Sequence, residues 1–323
     1  MEQLKERIKK ARKITTSTLN VYLRNMRILS KAITGTDFKD TSFLNNIKKV
    51  KTEIEKKRLP TQKTYLATII VVLMLDGDKS KNIVKKYRDY LSEIKGQYDK
   101  QMETQRKTRK ESENWLSKTE LNGVIDYYRK KVYKYKLNSG SKQSLNKKEK
   151  DILQKYLIAG LYILMPPRRN VYANMRVINH KKFGDLDEDE KVDNNYLVIH
   201  NNSKKYFIFN DYKTKKKYGT QKIRIEPDLN KVINTWYRHS KNQEWLIVNG
   251  HGNRVPSNVL SRMIQQTFKK ATGKSKISST LLRHMFVSDK FKDLDTFKKL
   301  QDDAEKMGHD IITQIKTYKK VED

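Results

Sequence analysis

The sequence predicts a mainly α protein of the α+β kind. An all-helical N-terminal domain is expected over residues 1–100, a linker over 101–112, and a mainly helical domain with a small antiparallel sheet over 113–323. Three observations carry this expectation. Apolar residues recur at helical spacing through most of the chain. Three short β-rich runs, "NYLVIH", "KYFIFN" and "QKIRIEP", lie close together in its second half. Between the two halves, "METQRKTRKESEN" is polar and charged, with no large aliphatic beyond Met102. At 323 residues there is chain enough for two domains, each with its own core.

The N-terminal elements follow in order. "TTSTLNVYLRNMRILSKAI" opens with Ser/Thr caps and then sets Leu19, Tyr22, Leu23, Met26 and Leu29 on one helical face. "TGTDFKDTSFLNN" is turn-rich. "PTQKTYLATIIVVLML" starts with a helix-initiating proline and is apolar nearly all round, as expected of this domain's central helix. Its apolar core, Thr64 to Leu75, covers 12 residues, where a membrane span needs about 20, so a buried helix of a soluble protein is expected. "NIVKKYRDYLSEIKGQYDKQ" is a further amphipathic helix.

In the second domain, Ser117 and Glu120 form a capping box ahead of Leu121, Val124, Ile125 and Tyr128. "EKDILQKYLIAGLYILM" is a long apolar helix that stops at Pro166-Pro167. The β-rich runs follow, the last two flanking a lysine-rich turn. "SNVLSRMIQQTFKKAT", "TLLRHMFVSDKF", "DTFKKLQDDAEKMG" and "DIITQIKTYKKV" return to helix. The acidic "DLDEDEKVD" is expected as an exposed loop. No repeats are evident.

Charge and missing motifs narrow the function. Lys and Arg total 71 against 37 acids, a formal +34, spread along the chain and interleaved with 18 tyrosines. Such a balance opposes compaction unless a polyanion is the usual partner, and its spread favours a nucleic-acid groove over a membrane anchor. Cysteine is absent, which excludes disulfides, thiolate metal sites and thiol nucleophiles and fits a reducing, intracellular compartment. The charged start "MEQLKERIKKARKITT" lacks the apolar segment of a secretory signal. No phosphate-binding loop, GxGxxG, HExxH or Cys/His metal spacing is present, so neither a metal nor a nucleotide cofactor is expected.

Four cationic stretches remain. In "LMPPRRNVYANM", Arg168 and Arg169 follow a stiff double proline at the end of an apolar helix. In "NDYKTKKKYGTQKIRI", Lys213 leaves one strand, and Lys215, Lys216 and Lys217 crowd the turn before the next. "STLLRHMFVSDKF" is a capped helix start carrying Arg283 and His284 amid apolar neighbours, where an arginine needs an anion to face. In "MGHDIITQIKTYKKVED", Gly308 ends a helix, His309 occupies the turn, Asp310 caps the next helix, and Tyr318 follows His309 by nine residues.

Taken in order, these four stretches resemble the tyrosine recombinase (phage integrase) family, and the N-terminal helices resemble that family's core-type DNA-binding domain. The resemblance implies Arg168, rather than Arg169, as the first catalytic arginine and Lys213 as the hairpin lysine, with Lys215 to Lys217 as competitors and DNA contacts. It implies Thr280 and Arg283 at the central box with His284 in support, and His309 and Tyr318 at the end motif. Three positions depart from the family pattern. Thr280 stands where the box opens with histidine, and its hydroxyl can donate a hydrogen bond to phosphate but cannot act as a proton carrier near neutral pH. Val171 stands where an acid usually follows the first arginine, so something else must orient Arg168. Only five residues follow Tyr318, too few for a helix that docks on a neighbouring subunit.

The implied chemistry suits these residue types. A free tyrosine, with a pKa near 10, is about 0.1% ionised at neutral pH. Guanidinium forks can hold two non-bridging phosphate oxygens and stabilise the pentacoordinate transition state. Lys213 would protonate the leaving 5′-oxygen. His309 would either orient the phosphate or accept the tyrosine proton. The resulting 3′-phosphotyrosyl link conserves the bond so that another 5′-hydroxyl can reverse the step. The resemblance further implies double-stranded DNA as partner and a tetramer on two DNA sites, formed from monomers or dimers off DNA. Its role would be integration or excision of a mobile or viral genome, wherever in the cell that DNA lies. The alternatives are a type IB DNA topoisomerase and a DNA-binding relative without catalysis.

Overall fold

A computed structural model describes residues 1–291, apart from Gln105, Ser141, Gln143 and the side chains of Asp78 and Lys79, together with Lys306 and Met307. The chain divides into two compact units between Arg106 and Lys107.

The first unit is helical: α1 (Glu2–Ala11), α2 (Thr16–Thr34), α3 (Ile47–Glu55), α4 (Leu59–Leu73) and α5 (Lys81–Glu103). The Thr15 hydroxyl caps α2 by accepting from Thr18 N, and Gly35 closes it at φ 74°, a conformation that favours glycine. Pro60 sits in the first turn of α4, where a missing N–H leaves no helical bond unmade. From Thr68 to Leu73 every residue of α4 is buried, so it is the unit's central helix. Leu19, Met26 and Leu29 of α2, Val50 and Ile54 of α3, and Tyr87 and Ile94 of α5 share its core. Among the described residues no helix is long and apolar enough to cross a membrane.

The second unit begins with α6 (Arg109–Asn114), α7 (Lys118–Lys134) and α8 (Lys147–Ile163). Each is opened by a reciprocal capping box: Thr108 with Glu111, Ser117 with Glu120, and Asn146 with Glu149. The stretch expected as a linker, 101–112, is therefore partly helical. α5 runs through Glu103 and α6 starts at Arg109, because two satisfied end groups outweigh a polar composition.

Next come β1 (Met175–Asn179), α9 (His180–Gly184), α10 (Glu188–Asp193), β2 (Asn195–Ile199) and β3 (Lys205–Phe209). They are followed by α11 (Lys215–Tyr218), β4 (Gln221–Arg224), α12 (Pro227–Tyr237), α13 (Ser257–Thr272) and α14 (Ser279–Lys290). The sheet order is β1-β2-β3-β4. The expected antiparallel part is β2-β3-β4, but β1 adds a parallel strand, so the sheet is mixed. The chain crosses over through α9 and α10 between β1 and β2, the kind of connection a parallel pair requires. α10 replaces the expected acidic loop. Asp187 caps it, and Glu188, Asp189 and Glu190 fill its first turn, where the helix dipole favours negative charge.

One sheet face, with Leu197, Ile199, Phe207 and Phe209, joins the main core beside α7, α8, α12 and α13. On the same face lies Lys205, only 2% exposed. Among the described residues its Nζ has no carboxylate partner. It lies 3.0 and 2.7 Å from the carbonyl oxygens of Asn201 and Asn202, and 2.9 and 2.6 Å from the Oδ1 atoms of Asn230 and Asn234. The ammonium thereby ties the β2–β3 turn to α12, and burial lowers its pKa to about 8. An unfolded lysine keeps its proton to about 10.5, so between these values unfolding takes up a proton and raising the pH favours the folded state. Stability of the wild type relative to Lys205→Met is thus expected to rise from pH 8 to 10.5, as read by urea unfolding at several pH values.

Candidate functional site

Arg168 follows the end of α8, after Pro166 and Pro167. Its guanidinium lies over the Phe209 ring at 3.9 Å from the centroid and 5.5 Å from that of Tyr212. Its Nη2 donates to the side-chain carbonyl of Gln221, the first residue of β4. Arg168 is half-buried and Arg169 is exposed. The platform beneath is aromatic: Tyr172 meets Tyr162, Phe207 and Phe209 edge-on, with centroids 5.6, 5.7 and 6.0 Å away. Burial pulls the Arg168 pKa down, opposed by the Tyr172 and Tyr212 hydroxyls. A guanidinium so placed keeps its charge and is held by stacking and one hydrogen bond instead of by an acid. This supplies the orientation that Val171 does not.

The hairpin that carries the lysines is fastened at its base. Asn195, 1% exposed, uses its whole amide. Its Nδ2 donates to Val171 O at 3.0 Å and Asp211 O at 2.9 Å, and its Oδ1 accepts from Asn210 N and Asp211 N, both at 2.8 Å. One buried side chain thus joins the loop after Arg168 to the root of the hairpin. Asn210 closes the hairpin by accepting from Thr220 Oγ1 at 2.8 Å, and Tyr212 does so by donating its hydroxyl to Gly219 O at 2.6 Å. Gly219 has φ 64° and ψ −159°, which a side chain would strain. Above this base, Lys213, Lys216 and Lys217 are exposed and Lys215 is half-buried, its Nζ 3.3 Å from Val192 O. The expected plain turn contains α11, with Lys213 two residues before it.

The central box lies on α14, capped by Ser278, whose Oγ accepts from Leu281 N at 3.2 Å. Leu281, Leu282 and Met285 are buried, Arg283 is half-buried, and Thr280 and His284 are exposed. Arg283 has no partner among the described residues. His284 Nδ1 is 2.8 Å from Glu111 Oε1. His309 and Tyr318, together with Gly308 and Asp310, lie outside the described residues.

Of the sequence-selected residues, then, Arg168 and the lysine hairpin are brought into contact through Tyr212. Among the described residues no recorded contact joins Arg283 to either. Sequence reading missed Phe209, Tyr212, Gln221, Asn195 and Glu111. Only Glu111 left a readable signal, the Thr108-x-x-Glu111 capping signature. No group of three or more His, Cys, Asp or Glu suited to a metal occurs among the described residues.

No family model, curated protein or solved structure matches this chain.

Proposed function

We propose that the protein is a metal-independent DNA strand transferase of the tyrosine recombinase type, which cuts and rejoins duplex DNA through a 3′-phosphotyrosyl link at Tyr318. The observation that carries this reading is the packing of Arg168 onto the base of the hairpin that bears Lys213, with Phe209, Tyr212 and Gln221 as its seat. Two cations from separate motifs thus share one anchored unit, as a transition state with developing charge on both equatorial and leaving oxygens requires. Arg283, without a partner among the described residues, is the second guanidinium for that charge. Lys213 protonates the leaving 5′-oxygen, and Lys215, Lys216, Lys217 and Arg169 contact the DNA backbone. Assembly as a tetramer on two DNA sites, integrating or excising a mobile or viral genome, belongs to the same proposal.

The test is a pool of nicked duplexes of randomised sequence, incubated with the protein without metal. A protease-sensitive adduct at a 3′ end is the expected result. Tight binding with no adduct on any member would favour the second reading, a DNA binder without catalysis, which Thr280 and Val171 motivate. Binding itself is expected to weaken steeply with salt, with a log–log slope near −0.9 for each phosphate neutralised, as measured by titration at several ionic strengths.

A further inference from the structure

Glu111 of α6 and His284 of α14 stand 173 residues apart in sequence and meet at 2.8 Å. The carboxylate is committed before it reaches the ring. Glu111 Oε2 accepts from Thr108 N at 2.9 Å and from Thr108 Oγ1 at 2.8 Å, which leaves Oε1 for the imidazole. Burial pushes the Glu111 pKa up, but the hydrogen bonds from Thr108 and His284 outweigh it and hold the group ionised. Facing a carboxylate, Nδ1 of His284 carries its hydrogen and donates, and no described residue is bonded to Nε2. The ring is reachable, with 48% of the side chain exposed.

Around α14, Leu281, Leu282 and Met285 face the core. Thr280, Arg283 and His284 fall on the opposite side, with Thr280 one turn before both, at the i,i+3 and i,i+4 spacings that make helix neighbours. A hydroxyl, a guanidinium and an imidazole thereby share one solvent-facing sector, and the imidazole is backed by an acid. The ion pair of Lys118 Nζ with Asp289 Oδ2, 3.7 Å apart at the far, C-terminal end of α14, involves neither side chain. As a fastening, an exposed His–Glu pair contributes little to stability. As a way of fixing a ring's tautomer and direction, it is the arrangement general acid–base and phosphate sites use.

We propose that Glu111 and His284 belong to the strand-transfer site: with a hydrogen on each ring nitrogen, His284 donates from Nδ1 to Glu111 and from Nε2 to a non-bridging oxygen of the scissile phosphate beside Arg283, and Glu111 is the positioning residue that holds the ring. No bond is made or broken at His284 in this role. The inference rests on the strand-transferase reading above.

The experiment uses the full chain and the nicked duplex that wild type selects from the randomised pool. His284→Ala is expected to slow adduct formation about a hundred-fold, the scale of one lost transition-state donor. Imidazole added to the buffer is expected to restore at least about a tenth of the lost rate, and less when Glu111→Ala is combined with it. His284→Asn, which keeps a donor for Glu111 but has no counterpart of Nε2, is expected to be as slow as the alanine variant at unchanged melting temperature. It also keeps the test open should His284→Ala fold poorly. Wild-type rates in His284→Asn, or no response of His284→Ala to imidazole, would overturn the inference while leaving the strand-transferase reading in place. A wild type that forms no adduct would overturn both.

Discussion

On the proposed strand-transferase reading, Tyr318→Phe is expected to abolish the protease-sensitive adduct while duplex binding and melting temperature stay at wild-type values. The variant lacks only the phenolic oxygen, so there is no atom to bond to phosphorus and no alternative thiol, since the chain contains no cysteine. Loss of a covalent nucleophile costs on the order of 10⁶ in turnover in well-studied cases, far below the detection floor of a gel assay. DNA affinity should not follow, because on the proposed reading it would come from the +34 formal charge spread along the chain rather than from one neutral ring. The comparison is read by denaturing gel before and after protease, with binding measured in parallel at one fixed salt concentration. An adduct that persists in Tyr318→Phe would move the nucleophile to another of the 18 tyrosines.

Arg168→Ala is the second large effect: a fall of about a thousand-fold in the rate of strand cleavage, with much less change in duplex binding. A donor aimed at developing oxyanion charge is worth about 10²–10³ in rate, and an arginine serving phosphoryl transfer 10³ or more. The seat explains why lysine should not substitute. Arg168 is stacked at 3.9 Å over Phe209 and bonded to Gln221, and both contacts use the flat fork. An ammonium on a flexible stem keeps the charge but not the direction, so Arg168→Lys is expected to retain little of the lost rate. Stability should drop by about 1 kcal/mol in either variant, the scale of one cation–π contact. A melting curve beside the rate measurement separates this from the catalytic loss. Arg169→Ala, from an exposed neighbour, should leave the cleavage rate near wild type and serves as the control.

The helices were legible because their signals are local. Ser117 and Glu120 lie three residues apart and announce the start of α7 by themselves, and Pro60 does the same for α4. The hydrophobic period placed α2, α5, α8 and α13 without reference to any partner. Elements whose stability comes from ends or neighbours were less visible. α10 looks like a solvated acidic loop until Asp187 is seen accepting from Glu190 N. β1 carries no strong strand signal and becomes a strand because β2 lies beside it in parallel register.

The same division holds at the site. By itself the sequence determined the chemistry on offer: cations in four short contexts, no cysteine, a +34 charge and a tyrosine at a set distance from a histidine. Residue type and spacing along a chain are enough for that. The tertiary structure alone decided which of those cations are aimed. Asn195 joins the Arg168 loop to the lysine hairpin through four hydrogen bonds, and Phe209, Tyr212 and Gln221 seat the guanidinium. Glu111 reaches His284 across 173 residues. A buried amide or a stacked ring has no periodicity to betray it. Its role exists only once segments distant in sequence are packed within a few ångströms, where directional contacts and exclusion of water fix which way a charge points.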